Sequence, residues 1–144
     1  MEITAVLPQE IEPGANVMFD ATPVPGNCSI IHREGSGLVT LRAMRNNQCR
    51  ARFRITFSGN LKADTDATIT GVTLLSLAIA QSGEAIPASI MTVSVGDTGS
   101  VYNVATEVLV DVPTGCCTTI SVKNITQGIS VDTLNANLIV ERVA

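Results

Sequence analysis

The sequence predicts an all-β fold: an antiparallel β-sandwich preceded by an extended N-terminal arm. Three observations carry this. Apolar residues alternate with period two along several stretches, turn signals built from Gly, Pro, Asn and Asp recur about every eight to twelve residues, and no stretch shows helical periodicity. With 144 residues, the chain is long enough for one domain with a core of its own. No crossover helices are visible, so antiparallel connections are expected.

Taken in order, residues 1–27 stand apart. They hold four of the six prolines, Pro8, Pro13, Pro23 and Pro25, and proline favours extended backbone over helix. Short apolar pieces punctuate the segment. It is read as an arm ending in an edge strand, with Ile3, Val6, Leu7, Val17 and Phe19 as candidate knobs that dock on a neighbour or along the chain's own domain. The sandwich domain is assigned to residues 28–144. Residues 29–32 read as a strand, 34–37 as a turn and 38–43 as the next strand. The clearest strand spans 50–61: Ala51, Phe53, Ile55 and Phe57 face one way, and Arg50, Arg52, Arg54 and Thr56 the other. Such strict alternation marks a half-buried strand.

A longer strand is predicted over 68–80, with Leu75, Leu77 and Ile79 on one face and Leu74, Ser76, Ala78 and Ala80 on the other. Both faces are largely apolar, so both are expected to be covered. Residues 81–84 signal a hairpin. A strand over 85–95, interrupted by Pro87, follows, and 96–99 form a turn. Residues 102–112 alternate again, with Val104, Thr106, Val108, Val110 and Val112 set against Asn103, Ala105, Glu107, Leu109 and Asp111. Pro113-Thr114-Gly115 turns the chain into closing strands over 118–125 and 135–143.

Composition narrows the function. Hydrophobic residues make up 45% of the chain and charged residues 15%, against a usual charged share of about 25%. A surface this poor in charge predicts that a partner or another copy covers part of it. The longest uncharged run, residues 67–83, is rich in Thr, Ser and Gly and is broken at Glu84, so no membrane-spanning helix is predicted. The opening Met1-Glu2-Ile3-Thr4 carries no basic, apolar leader, and export by a signal peptide is not expected. A formal net charge of −4 argues against a nucleic-acid footprint. One basic cluster stands out: Arg42, Arg45, Arg50, Arg52 and Arg54. The absence of Trp and the presence of one Tyr and three Phe leave stacking platforms for bases or sugars poorly supplied.

Residues suited to catalysis are few. His32 is the single histidine, and Cys28 lies too far along the same strand to form a pair with it. Cys28, Cys49, Cys116 and Cys117 show no metal-ligand spacing. They are expected as free thiols, with a Cys28–Cys49 bridge left open, since spacing does not fix connectivity. Asp64 and Asp66 flank Thr65 without the rest of a calcium loop. No phosphate-binding or nucleophile-elbow motif occurs. No cofactor, metal or enzymatic activity is predicted. Three cations on one strand face, Arg50, Arg52 and Arg54, repel one another unless paired. They are expected either to pair with acids across strands or to form a polar interface with an anionic partner. The triplets Asn27-Cys28-Ser29 and Asn124-Ile125-Thr126 match the glycosylation pattern by chance in this reading.

The stretch Arg50-Ala51-Arg52-Phe53-Arg54-Ile55-Thr56-Phe57-Ser58-Gly59-Asn60 resembles the central (G/A)-x-Y-x-(V/I)-x-F-x-(A/G) strand of C1q/TNF-like jelly rolls. Residues 74–83 resemble the strand that follows it in that family. Residues 108–124, with the Pro113-Thr114-Gly115 turn, and the strand Asn135-Ala136-Asn137-Leu138-Ile139-Val140-Glu141-Arg142 resemble its final strands. The chain is also similar to small jelly-roll proteins of bacteriophages and gut Firmicutes, which resemble head-fibre or capsid-decoration proteins or the tips of surface collagens. The resemblance implies a jelly-roll β-sandwich that forms a homotrimer. It further implies a structural protein on a virion surface, made in the host cytoplasm, whose N-terminal arm meets a capsid protein. The alternative is a receptor- or glycan-binding trimeric tip at a cell surface, with sites in the loops 45–48, 64–66 and 96–100. Leu75, Leu77, Ile79, Val122 and Ile139 are the candidates for the trimer or core interface.

Overall fold

The computed structural model describes residues 1–44, 49–65, 67–69 and 71–144. Twelve strands are described: β1 (Glu2–Ala5), β2 (Gln9–Ile11), β3 (Ala21–Val24), β4 (Ile30–His32), β5 (Val39–Arg42), β6 (Arg50–Ala63), β7 (Thr73–Gln81), β8 (Glu84–Ala85), β9 (Met91–Val95), β10 (Tyr102–Pro113), β11 (Cys117–Asn124) and β12 (Val131–Arg142). A single 3-10 turn, Pro87–Ser89, interrupts the predicted strand over 85–95, because Pro87 has no N–H to give to a ladder. The strands form two antiparallel sheets. The first has the order β10-β6-β12-β1-β3, with β2 also pairing β12, and the second has the order β4-β5-β11-β7-β8, with β9 also pairing β7. This is an all-β, jelly-roll-type antiparallel sandwich.

The core lies between the sheets. The inward face of β6 supplies Ala51, Phe53, Ile55, Phe57, Leu61 and Ala63, each at most 1% exposed. Opposite it, Leu75, Leu77, Ile79, Ile120 and Val122 are fully buried. Side chains of this size each contribute about 1.5–3 kcal/mol on burial. The predicted strand over 68–80 begins only at Thr73. On its other face Ala78 and Ala80 are covered, whereas Leu74 is exposed.

The N-terminal segment differs from the expected arm. β1 lies inside the first sheet, antiparallel to β12 on one side and to β3 on the other. The chain then crosses to the second sheet, where Val17 N–H donates to the Val122 carbonyl at 2.8 Å and Gly14 N–H to the Asn124 carbonyl at 2.8 Å. Gly14 adopts a φ of +80° there, a conformation that glycine takes without strain. The Gln9 amide clamps the crossing, donating to the Met18 carbonyl and accepting from the Met18 N–H. Ile3, Val17 and Phe19 are fully buried. Residues 1–27 thus contribute β1, β2 and β3 to the same sheet as β6, β10 and β12. The physical reason is that proline is excluded only where a ladder needs its N–H: Pro8 and Pro13 lie between strands, and Pro23 lies on β3, the edge of its sheet.

Candidate interaction surfaces

The outer face of the β10-β6-β12-β1-β3 sheet is laid out by its register. One row across it reads Glu107, Thr56, Ile139, Glu2 and Val24, and the next reads Ala105, Ser58, Asn137, Thr4 and Ala21. Most of these side chains are small or uncharged. Leu109 (57% exposed), Val24 (52%) and Ile139 (39%) add exposed apolar surface to the same face.

At one end of the face stand the three arginines of β6. Arg52 grips Asp111 on β10 with two hydrogen bonds, Nε to Oδ1 at 2.7 Å and Nη2 to Oδ2 at 2.9 Å. Arg50 Nε reaches Asp111 Oδ2 at 3.1 Å. Arg54 lies between two acids, with Nη1 2.9 Å from Glu141 Oε1 on β12 and Nε 3.7 Å from Glu107 Oε1 on β10. Three cations thus face three anions and the patch is neutral. The Arg52 hydrogen bonds hold the Asp111 carboxyl below its ordinary range, aided by the Arg50 charge and opposed by partial desolvation. The same pairing raises the Arg52 guanidinium. Of the two expectations for this row, cross-strand pairing is the arrangement found, and the surplus of positive charge that an anionic partner would need is absent from it.

The other end of the same face carries carboxylates. Asp132 stands between Lys62 on β6 and Glu10 on β2 in register. Burial pushes its carboxyl up, and the nearby Asp64 charge pushes it further, with Lys62 pulling the other way. Pro8, Gln9, Glu10, Asp64 and Asp132 line a shallow pocket of about 260 Å³. Among the described residues, no three His, Cys, Asp or Glu side chains are grouped to hold a metal ion. No helix among them is long and apolar enough to cross a membrane.

The remaining sequence candidates fall as follows. Leu75, Leu77, Ile79 and Val122 lie in the chain's own core, where no second copy can reach them; Ile139 alone of that set is at the surface. Of the proposed docking residues, Val6 (61%) and Leu7 (72%) remain exposed, and Leu7 borders a groove with Met18. His32 donates Nε2–H to the Ser36 carbonyl at 2.9 Å and meets Phe19 edge-on, so it packs locally. In the 96–100 loop, Asp97 is spent on its own turn. It accepts from the Gly99 and Ser100 N–H groups and from the Ser100 hydroxyl, with the Ser100 backbone bond the main reason its carboxyl lies low. Asn124 is fully buried, bonding the Ile11 and Ile129 carbonyls, so no sugar can be attached there in the folded chain. The loop 45–48 and Asp66 lie outside the described residues. Sequence reasoning missed Leu109 and Val24 as surface features, because exposure depends on which neighbours a strand acquires. The signal for Leu109 was nonetheless present, since it shares the outward parity of Glu107 and Asp111.

No family model matches the chain, and no curated protein matches its sequence. Solved structures do. The globular domain of a zebrafish complement 1qA protein aligns over 99% of this chain and 95% of its own, at a TM-score of 0.65 and 8% identity. The vertex protein P5 of PRD1 aligns over the same shares, at a TM-score of 0.49 and 14% identity. At 8% identity the likeness to the complement domain is one of architecture, and what it establishes is that this chain folds as a C1q-like jelly roll.

Proposed function

We propose that this chain is a non-enzymatic structural subunit that assembles as a homotrimer on a virion surface, as a capsid-decoration or head-fibre protein. One observation carries the self-association: the outer face of the β10-β6-β12-β1-β3 sheet. Its ion pairs at the arginine end cancel within the chain, the row Ala105, Ser58, Asn137, Thr4 and Ala21 is small and uncharged, and Leu109, Ile139 and Val24 are left to be covered. Interface centres are depleted in charge in the same way, and burying the charge-balanced arginine end and the centre of the face avoids the cost of stripping water from unpaired ions. The virion setting is supported by the resemblance of the sequence to small phage jelly-roll proteins.

Light scattering tests the assembly. The wild-type chain is expected at three times its monomer mass at micromolar concentration. The double variant Leu109→Glu, Ile139→Glu is expected as a folded monomer, because each lost apolar contact weakens association by about tenfold or more. A wild-type monomer at that concentration overturns the proposal. Virions made without the protein and unchanged in outline by negative staining overturn the decoration role.

A further inference from the structure

A strand at the edge of a sheet presents unpaired N–H and C=O groups to which another strand can add. Among the described residues, most edge strands of this fold are short. β3 has four residues and carries Pro23, β2 and β4 have three each, β8 has two, and β9 has five and follows the Pro87–Ser89 turn. Short strands, proline and irregular backbone all hinder further pairing. β10 is different. It is twelve residues long, and its one proline, Pro113, is its last residue. It ends its sheet, and its ladder with β6 runs from Tyr102↔Leu61 to Pro113↔Arg50 without a register shift. Alternate residues of an antiparallel ladder turn their backbone groups toward the neighbour, so about half of those on β10 point away from β6. Among the described residues, no other strand takes them up.

Charged side chains guard an edge when they stand over it. Those of β10 are drawn back over β6. Asp111 is held by Arg50 and Arg52, and Glu107 accepts from the Thr56 hydroxyl at 3.0 Å with Arg54 Nε 3.7 Å away. The Asn103 amide likewise donates to the Gly59 carbonyl and to Asn60 Oδ1. Val101 (53% exposed), Ala105 and Leu109 are left along the edge. These three share one parity and are evenly spaced. Antiparallel pairing of the strand with itself about Ala105 therefore sets Leu109 opposite Val101 of the second copy, and Ala105 opposite Ala105. Glu107 then faces Asn103, and Asp111 falls beyond the paired stretch, so no acid opposes an acid. On the inner side Val104 faces Thr106. Centring the pair on Glu107 or on Leu109 would instead set acid against acid.

We propose that β10 is a self-association edge: two copies of this chain pair β10 to β10, antiparallel about Ala105, and carry the sheet of one copy into the next. Backbone hydrogen bonds supply the attraction, and the meeting of Leu109 with Val101 fixes the register. A twofold contact closes with two copies and cannot build a threefold ring. The pairing therefore joins copies from different trimers and goes beyond the trimer contact. One strand edge covers far less than the roughly 800 Å² per partner of a stable interface, so the pairing forms above the micromolar range.

Two measurements on the full chain test this. Light scattering is expected to show the native mass doubling between micromolar and millimolar concentration. The doubling is expected to be lost in Thr106→Lys, which sets a charge on the inner side of the edge and whose unchanged far-UV circular dichroism reports that it is folded. The register is read by cross-linking, with the four exposed cysteines replaced by serine and Ala105→Cys or Asn103→Cys added. Opposed Cβ atoms stand about 4.5–5.5 Å apart, within disulfide reach. The two copies of position 103 are offset by about 13 Å along the strands. Oxidised glutathione is expected to give a covalent dimer in Ala105→Cys and none in Asn103→Cys. A mass that does not rise with concentration, or equal cross-linking in the two cysteine variants, overturns the proposal. The mass at micromolar concentration reports separately on the trimer, so either proposal can fail while the other stands.

Discussion

The two ends of the β10-β6-β12-β1-β3 outer face use the same strand, β6, in opposite ways. At its start, Arg50, Arg52 and Arg54 meet Asp111, Glu107 and Glu141, and charge cancels. Near its finish, Lys62 and Glu10 flank Asp132 in register, with Asp64 close by, and acid is in excess among the described residues. The first end lowers a carboxyl below its ordinary value and the second raises one. Between them the β6–β12 ladder shifts register, between Leu134 and Asn137. Asn135 sits in this shift at a φ of +50°, its N–H donating to the Val6 carbonyl at 3.1 Å. The extra residue lets β12 keep its inward residues buried on both sides of the break while pairing β6 in two registers. Neighbouring patches on one strand can therefore hold opposite electrostatic characters.

Three experiments break or sharpen this contrast. The largest effect is expected at the junction itself. Asn135→Val places a β-branched residue in the left-handed region, which Asn tolerates far better, and is expected to cost about 1–2 kcal/mol; denaturant midpoints at constant m-value measure it, and an unchanged midpoint shows that the bulge relaxes freely.

The next effect lies at the carboxylate end. The folded pKa of Asp132 is raised, so its ionised form opposes folding at neutral pH. Stability gained on protonation appears as pH falls through the raised value and is complete below the unfolded value near 4. Asp132→Asn is expected to raise Tm at pH 7 and to remove the gain on mild acidification. A lower Tm at pH 7 shows instead that the Lys62 contact outweighs the repulsion.

The smallest effect is at the arginine end. Asp111 has a lowered pKa, so its contribution is present above about pH 4 and is lost as pH falls below that. The pairs are exposed and screened. Asp111→Asn is therefore expected to lower Tm slightly, more at 10 mM than at 500 mM salt, with the difference from wild type shrinking as pH falls below about 4. A loss that ignores salt contradicts an electrostatic origin.

The inward residues of β6 and β10 were readable before any coordinates. Ala51, Phe53, Ile55 and Phe57, and Val104, Val108, Val110 and Val112, alternate strictly, and alternation maps directly onto the two faces of a strand. The ion pairs were half readable: three arginines with one parity require acids, yet only the register of β10 and β12 identifies Asp111, Glu107 and Glu141. Whether the extended N-terminal segment docks on a neighbour or along its own domain was left open by the sequence, because its ladder partners Val122, Asn124 and Ile139 lie more than a hundred residues away.

The sequence by itself determined most of the strands, their buried faces and the antiparallel sandwich, since these follow from local periodicity and turn chemistry, while the jelly-roll class came from the resemblance to a family. Tertiary structure decided which faces remain open. It drew residues 1–27 into the sandwich and buried Leu75, Leu77, Ile79 and Val122 in the chain's own core. Each of these depends on which strand pairs with which, and pairing is set by the packing of the whole chain.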